Sequence, residues 1–127
     1  MIVVEGPNVV GRILEAGESS ARVRLVTDPA FRMKCSAEKK AGGASVTGIL
    51  AGSGDGTCRL EYVLDREPVG EGWVIVSVAD PERGWPAGML IGDVAKGGSG
   101  SGVYGEIVVR PRVEPGSLRH VLVLIGK

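Results

Sequence analysis

Apolar residues in this chain alternate with polar ones in runs that Gly, Pro, Asp or Ser cut off about every ten residues, the spacing of many short strands. In Thr57-Cys58-Arg59-Leu60-Glu61-Tyr62-Val63-Leu64, the side chains of Cys58, Leu60, Tyr62 and Leu64 share one face, and Arg59 and Glu61 the other. Arg22-Val23-Arg24-Leu25-Val26-Thr27 repeats the pattern with Val23 and Leu25 inward, and Asp28-Pro29 ends it because proline cannot donate to a ladder. Trp73 to Val78 and Val121 to Ile125 are apolar on both faces, as expected of central strands. The expected core therefore includes Val23, Leu25, Ile49, Leu60, Tyr62, Val74, Val76, Leu122 and Leu124. Trp73 to Val78 can bury either face.

Helical periodicity is nearly absent. The best candidates for a single helical turn are Pro29 to Met33 and the stretch around Gly116 to Arg119. The fold class is all-β: a small barrel, or a pair of small six-stranded-type barrels, built from short antiparallel strands. With 127 residues, the chain 1–127 is expected to form one compact unit with room for two lobes. Gly52-Ser53-Gly54-Asp55-Gly56 reads as a hairpin loop that needs positive φ, and Gly97 to Gly102 as a longer loop.

Most functional chemistries find no support. Lys plus Arg and Asp plus Glu both total 15, so no overall field favours nucleic acid or anionic lipid. One Phe, two Tyr and two Trp leave few stacking platforms. Arg22, Arg24 and Arg32 could form a basic stripe, but no aromatic alternates with the first two. The phosphate-cradling pattern requires a following Lys with Ser or Thr, whereas Gly52 to Gly56 leads into a strand. His120 is the sole histidine, so a triad would have to pass through it with Asp28, Asp55, Asp65, Asp80 or Asp93, and no nucleophile elbow accompanies it. The same shortage removes a multi-histidine metal site, and the scattered carboxylates do not make a paired-acid site. Cys35 and Cys58 belong to no C-x-x-C pair and read as buried free thiols. No catalytic, cofactor-binding or metal residue is assigned. No run is long enough to span a bilayer, and the N-terminal residues lack the pattern of a cleavable leader.

Several segments taken in order resemble the bacterial rod shape-determining protein family MreC. Val10-Gly11-Arg12-Ile13 resembles the family's V-G-R-V, and Ser19 to Pro29 its S-S-x-V-x-L-x-T-D-P stretch. Thr47-Gly48-Ile49-Leu50-Ala51-Gly52 followed by Leu60-Glu61-Tyr62-Val63 is similar to its R-G-I-L-x-G and L-E-Y-V hairpin. Trp85-Pro86-Ala87-Gly88-Met89-Leu90-Ile91-Gly92-Asp93-Val94 is similar to F-P-P-G-L-P-V-G-x-V, and Val109-Arg110-Pro111 with Leu118 to Leu124 completes the series. Val69 to Asp80 departs from the family's V-G-D-x-V-x-T-S-G.

The resemblance implies a non-enzymatic scaffold of the cell-elongation machinery at the periplasmic face of the cytoplasmic membrane. Such a protein self-associates and binds the penicillin-binding transpeptidase and other membrane proteins of peptidoglycan synthesis. Membrane contact would come only through an upstream helix and coiled coil, which together with the first strands of the β region are expected to be missing from this chain. An unclosed sheet would then leave Ile2, Val3 and Val4 as an apolar edge open to pairing. Trp85, Pro86 and Met89 are the other candidate contacts, as an interface anchor or as a plug over the barrel end. The competing reading is an OB-like barrel that binds a ligand or nucleic acid. A third, an elastase-like hydrolase on paired barrels, requires His120 to sit beside Ser and Asp.

Overall fold

A computed structural model describes residues 2–39, 42, 45–61, 63, 69–83, 85–97, 107–113 and 122–124, the last three as backbone only. Ten strands occur among them and no helix: β1 (Ile2–Glu5), β2 (Asn8–Ala16), β3 (Ala21–Leu25), β4 (Arg32–Glu38), β5 (Ser45–Gly52), β6 (Cys58–Glu61), β7 (Val74–Ser77), β8 (Leu90–Lys96), β9 (Ile107–Pro111) and β10 (Leu122–Leu124). The helical turn expected at Pro29 to Met33 is absent. Asp28 Oδ1 instead accepts the Ala30 N–H at 2.7 Å, the Phe31 N–H donates to the Asp28 carbonyl at 2.8 Å, and β4 begins at Arg32. Residues 116–119 lie outside the described residues.

Six strands close a barrel in the order β4-β5-β6-β9-β8-β7, every neighbouring pair antiparallel, with β7 returning to β4. The inward row runs through cross-strand partners: Met33 opposite Leu50, Cys35 opposite Gly48 and Ser77, Ala37 opposite Val46 and Ile75, Leu60 opposite Leu50 and Ile107, and Val109 opposite Cys58 and Val94. Small residues must alternate with large ones in so narrow an interior, and Cys35, Ala37 and Gly48 leave the room that Leu50 and Ile75 fill. Where β5 and β6 approach most closely, a Cβ at Gly48 would lie 2.9 Å from the Glu61 carbonyl oxygen.

A second lobe is a sheet of β10, β1, β2 and β3, joined to the barrel through one parallel pairing of Asn8 with Leu90 and through the Leu90 N–H to the Pro7 carbonyl at 3.0 Å. Ile2, Val4, Val9 and Val26 pack into the barrel's core cluster, while Val3, Val10 and Val113 form a smaller cluster flanked by Ile13 and Leu25.

Four expectations are corrected here. β1 is no open edge: it pairs with β10 on one side and β2 on the other, and Ile2, Val3 and Val4 are all buried. Val23 is 36% exposed, because β3 pairs only with β2 and no described layer covers it; Leu25 is half-buried. Ile49 is half-buried because β5 turns Val46, Gly48 and Leu50 inward, the opposite phase. In β7 the fully buried residue is Ile75, with Val76 also buried and Val74 half-buried. Leu60 is buried as expected, whereas Tyr62 and the side chains of Leu122 and Leu124 lie outside the described residues. The hairpin loop at 52–56 has positive φ at Gly54 (82°) and Gly56 (88°).

Candidate functional site

The connection between β7 and β8, residues 78–89, folds back over the barrel and is tied down by one hydroxyl. Ser77 is 2% exposed, the one buried polar residue among the described residues, and its Oγ donates to the Pro86 carbonyl at 2.7 Å and accepts the Met89 N–H at 3.0 Å. Its backbone continues the pairing: the Ser77 N–H donates to Met89 and its carbonyl accepts from Gly88, both at 2.9 Å. Gly88 takes φ 82°, which suits a residue without a Cβ. A polar group this deep is tolerated because it both donates and accepts a hydrogen bond.

Farther along, Asp80 and Trp85 exchange two backbone bonds of 2.9 and 3.0 Å, closing a tight loop. Arg83 donates to Asp80 Oδ2 at 2.7 Å and lies 5.5 Å from the centre of the Trp85 ring. That hydrogen bond holds the Asp80 carboxyl below its ordinary 3.8. Trp85 is 7% exposed and belongs to the barrel's core cluster, with Met89 packed against it and Pro86 exposed. A groove of about 470 Å³ runs between Lys34, Val78, Pro81, Glu82 and Trp85, and a second of about 230 Å³ between Arg32, Met33, Ile49, Arg83 and Trp85. Among the described residues the buried Trp85 Nε1 has no hydrogen-bond partner.

Cys35 and Cys58 are buried free thiols, and burial pushes both up to about 12, so they stay protonated at neutral pH. Cys58 Sγ lies 3.2 Å from the Val26 carbonyl. No group of three metal-ligating side chains occurs among the described residues, and His120 lies outside them. The basic stripe that Arg22, Arg24 and Arg32 could have formed is divided: Arg22 and Arg24 lie on β3, whereas Arg32 turns to the Pro29 and Phe31 carbonyls and to Glu61 at 3.9 Å. Sequence reasoning missed Ser77; its signal was a lone hydroxyl inside an apolar run.

These elements lie in one continuous match to a single family model, described as rod shape-determining protein MreC, barrel core, over residues 1–125. The chain belongs to the MreC family. Solved MreC structures share its fold. One, described as MreC, is 24% identical with a TM-score of 0.79 over 98% of this chain and 69% of that one. MreC from Pseudomonas aeruginosa is also 24% identical, with a TM-score of 0.78 over 98% of this chain and 78% of its own. The major periplasmic domain from the cell shape-determining filament MreC is 16% identical, with a TM-score of 0.66 over 88% and 68%. Among curated proteins no relative matches. Among the described residues, no helix is long and apolar enough to cross a membrane. As an MreC-family chain, this is a cell shape-determining protein.

Proposed function

We propose that the chain is a non-enzymatic scaffold of the cell-elongation machinery, working at the periplasmic side of the cytoplasmic membrane and organising peptidoglycan synthesis through self-association and partner binding. The observation that carries this reading is the family match across residues 1–125, which leaves no separate segment for another activity within the matched span. The chemistry is consistent with it. Among the described residues the barrel interior holds two protonated thiols and one hydroxyl that donates one bond and accepts one, which together are not an acid–base pair. A nucleic-acid barrel would display aromatics on an open face, whereas Phe31 and Trp85 are buried and Trp73 packs against the core.

The partners we infer are a second copy and the penicillin-binding transpeptidase with its associated membrane proteins. The test is depletion of the natural gene product in its host, combined with co-purification from detergent-solubilised membranes. Rounded cells and recovery of the elongation transpeptidase are the expected results. Retained rod shape with no transpeptidase recovered would overturn the reading.

A further inference from the structure

Strand β3 is one of the two borders of the small lobe's sheet among the described residues, β10 being the other. It pairs with β2 through Gly11–Leu25, Arg12–Arg24 and Ile13–Val23, and with nothing on its other side. Its outer groups can be assigned from the ladder. The Val26 N–H donates to the Val10 carbonyl at 3.1 Å, so Arg12–Arg24, two residues on, is also a hydrogen-bonded pair. Antiparallel alternation then turns the N–H and C=O of Val23 away from β2, and of the next outward pair, at Leu25, the carbonyl is taken by the Asp28 N–H at 3.0 Å. An unpaired row of this kind is a template for an added strand.

The side chains say which strand. Arg22 and Arg24 share one face of β3, with Ala21, Val23 and Leu25 on the other. Arg12 stands directly opposite Arg24, a like-charge cross-strand pair that is unfavourable unless acid lies close by. The acid present is Asp28, whose Oδ1 is 4.0 Å from Arg24 Nε. Arg12 has no ion-pair or hydrogen-bond partner among the described residues, and Nε of both arginines is buried and unbonded. Glu15 meets Arg22 at 3.8 Å with both side chains largely exposed, a pair of little energetic weight. Both acids sit at the outer limit of ion-pair distance, and Arg12 has none among the described residues, so the three arginines on this face are only loosely compensated. On the opposite face, half-exposed Val23 and the nearby exposed Leu14 offer apolar contact.

We propose that the outer edge of β3 docks an extended segment of a partner protein, whose carboxylates, two residues apart, lie against Arg22 and Arg24 while its alternate apolar side chains cover Val23. This rests on the scaffold reading and names the chemistry of one partner. A second copy is disfavoured at this edge, because two β3 strands related by a two-fold axis near Val23 would set Arg22 of each against Arg24 of the other. The arginines that bar self-pairing are those that select an acidic strand.

The test is fluorescence anisotropy of the purified chain with a labelled octapeptide of alternating Val and Glu, and with its Val/Lys counterpart. The Glu peptide should bind and weaken as salt rises, and the Lys peptide should not bind. Val23→Pro removes an outward-facing N–H and spares the β2 ladder, so binding should fall at least tenfold with the melting transition kept. The double substitution Arg22→Glu with Arg24→Glu should transfer binding to the Lys peptide, which gives a readout even if the proline variant does not fold. Equal binding of the two peptides, or indifference to both sets of substitutions, would overturn the proposal. A concentration-dependent dimer in light scattering that Val23→Pro abolishes would also overturn it, by giving the edge to a second copy. If the Val23→Pro chain still recovers the elongation transpeptidase and the Glu peptide never binds, this edge is refuted and the scaffold reading stands. If the unmodified chain recovers no transpeptidase, the scaffold reading fails whatever the peptide does.

Discussion

At Gly11 one missing carbon decides how closely two strands approach. A Cβ there would run into the carbonyl oxygen of Arg24, so β3 can lie on β2 only because position 11 is glycine. Gly11→Ala should destabilise the chain by about 1–3 kcal/mol, as overpacking does, and should raise amide exchange first at β3; chemical denaturation and hydrogen exchange read both. Ser77 has the reverse logic, since removing its hydroxyl frees space and strands the Pro86 carbonyl and the Met89 N–H. Ser77→Ala should cost about 1–3 kcal/mol, the range for orphaned buried partners, and a melt within error of the parent would refute the anchoring role. The Gly in Val10-Gly11-Arg12-Ile13 was legible as part of a family pattern, but the close approach of the Arg24 backbone that requires it was not, because alternation does not state the register of the neighbouring strand. Ser77 was hidden for a similar reason: its bonds reach 9 and 12 residues along the chain.

Among the elements, β1 and β3 exchange the roles that alternation assigned them. Both were recognisable as strands, and period-two patterning states which residues share a face. It does not state which strand lies alongside, and that decided the outcome. β1 looked unprotected and is flanked on both sides, whereas β3 looked half-buried and lies at a border. The phase of β5 was misread at Thr47-Gly48-Ile49-Leu50, where glycine occupies an inward position and leaves Ile49 and Leu50 as rivals for the core. Val3 is 1% exposed and paired with Gly11 and Val123. Val3→Pro removes a buried ladder donor, so the expected loss is at least about 2 kcal/mol in urea unfolding. The equivalent change at Val23 should cost much less, and equal costs would contradict the assignment of inner and outer strands.

For the molecule as a whole, barrel closure was legible because many short strands of even spacing leave exposed edges unless the sheet returns on itself. The place of Trp85 was harder to read, since an aromatic in a Pro/Gly segment fits an anchor as well as a plug, and alternation does not state that its indole joins the core. Closure also governs the thiols. Cys35 and Cys58 lie inside it, each raised from 9.0 to about 12 by burial. Groups raised in the fold contribute their stability below the unfolded value, and lose it as pH climbs from 9.0 toward about 12. Melting temperature should therefore decline across that window, and less steeply in a Cys35→Ala, Cys58→Ala chain. A thiol-specific reagent should label neither cysteine of the native chain at neutral pH, and both once it is denatured; rapid native labelling of either would contradict its enclosure.

The pairing of Ile2 with Leu124 sets the first and last described strands side by side, running in opposite directions. A pull that separates those strands acts across the β1–β10 ladder and loads its hydrogen bonds one after another, as a zip opens. The lobe is consequently weak to traction between these two strands, whereas the barrel, whose ring contains neither of them, lies off the line of force until the β1–β10 ladder has opened. Under tension the molecule would lengthen in two stages, yielding first at its seam and keeping its barrel for the second.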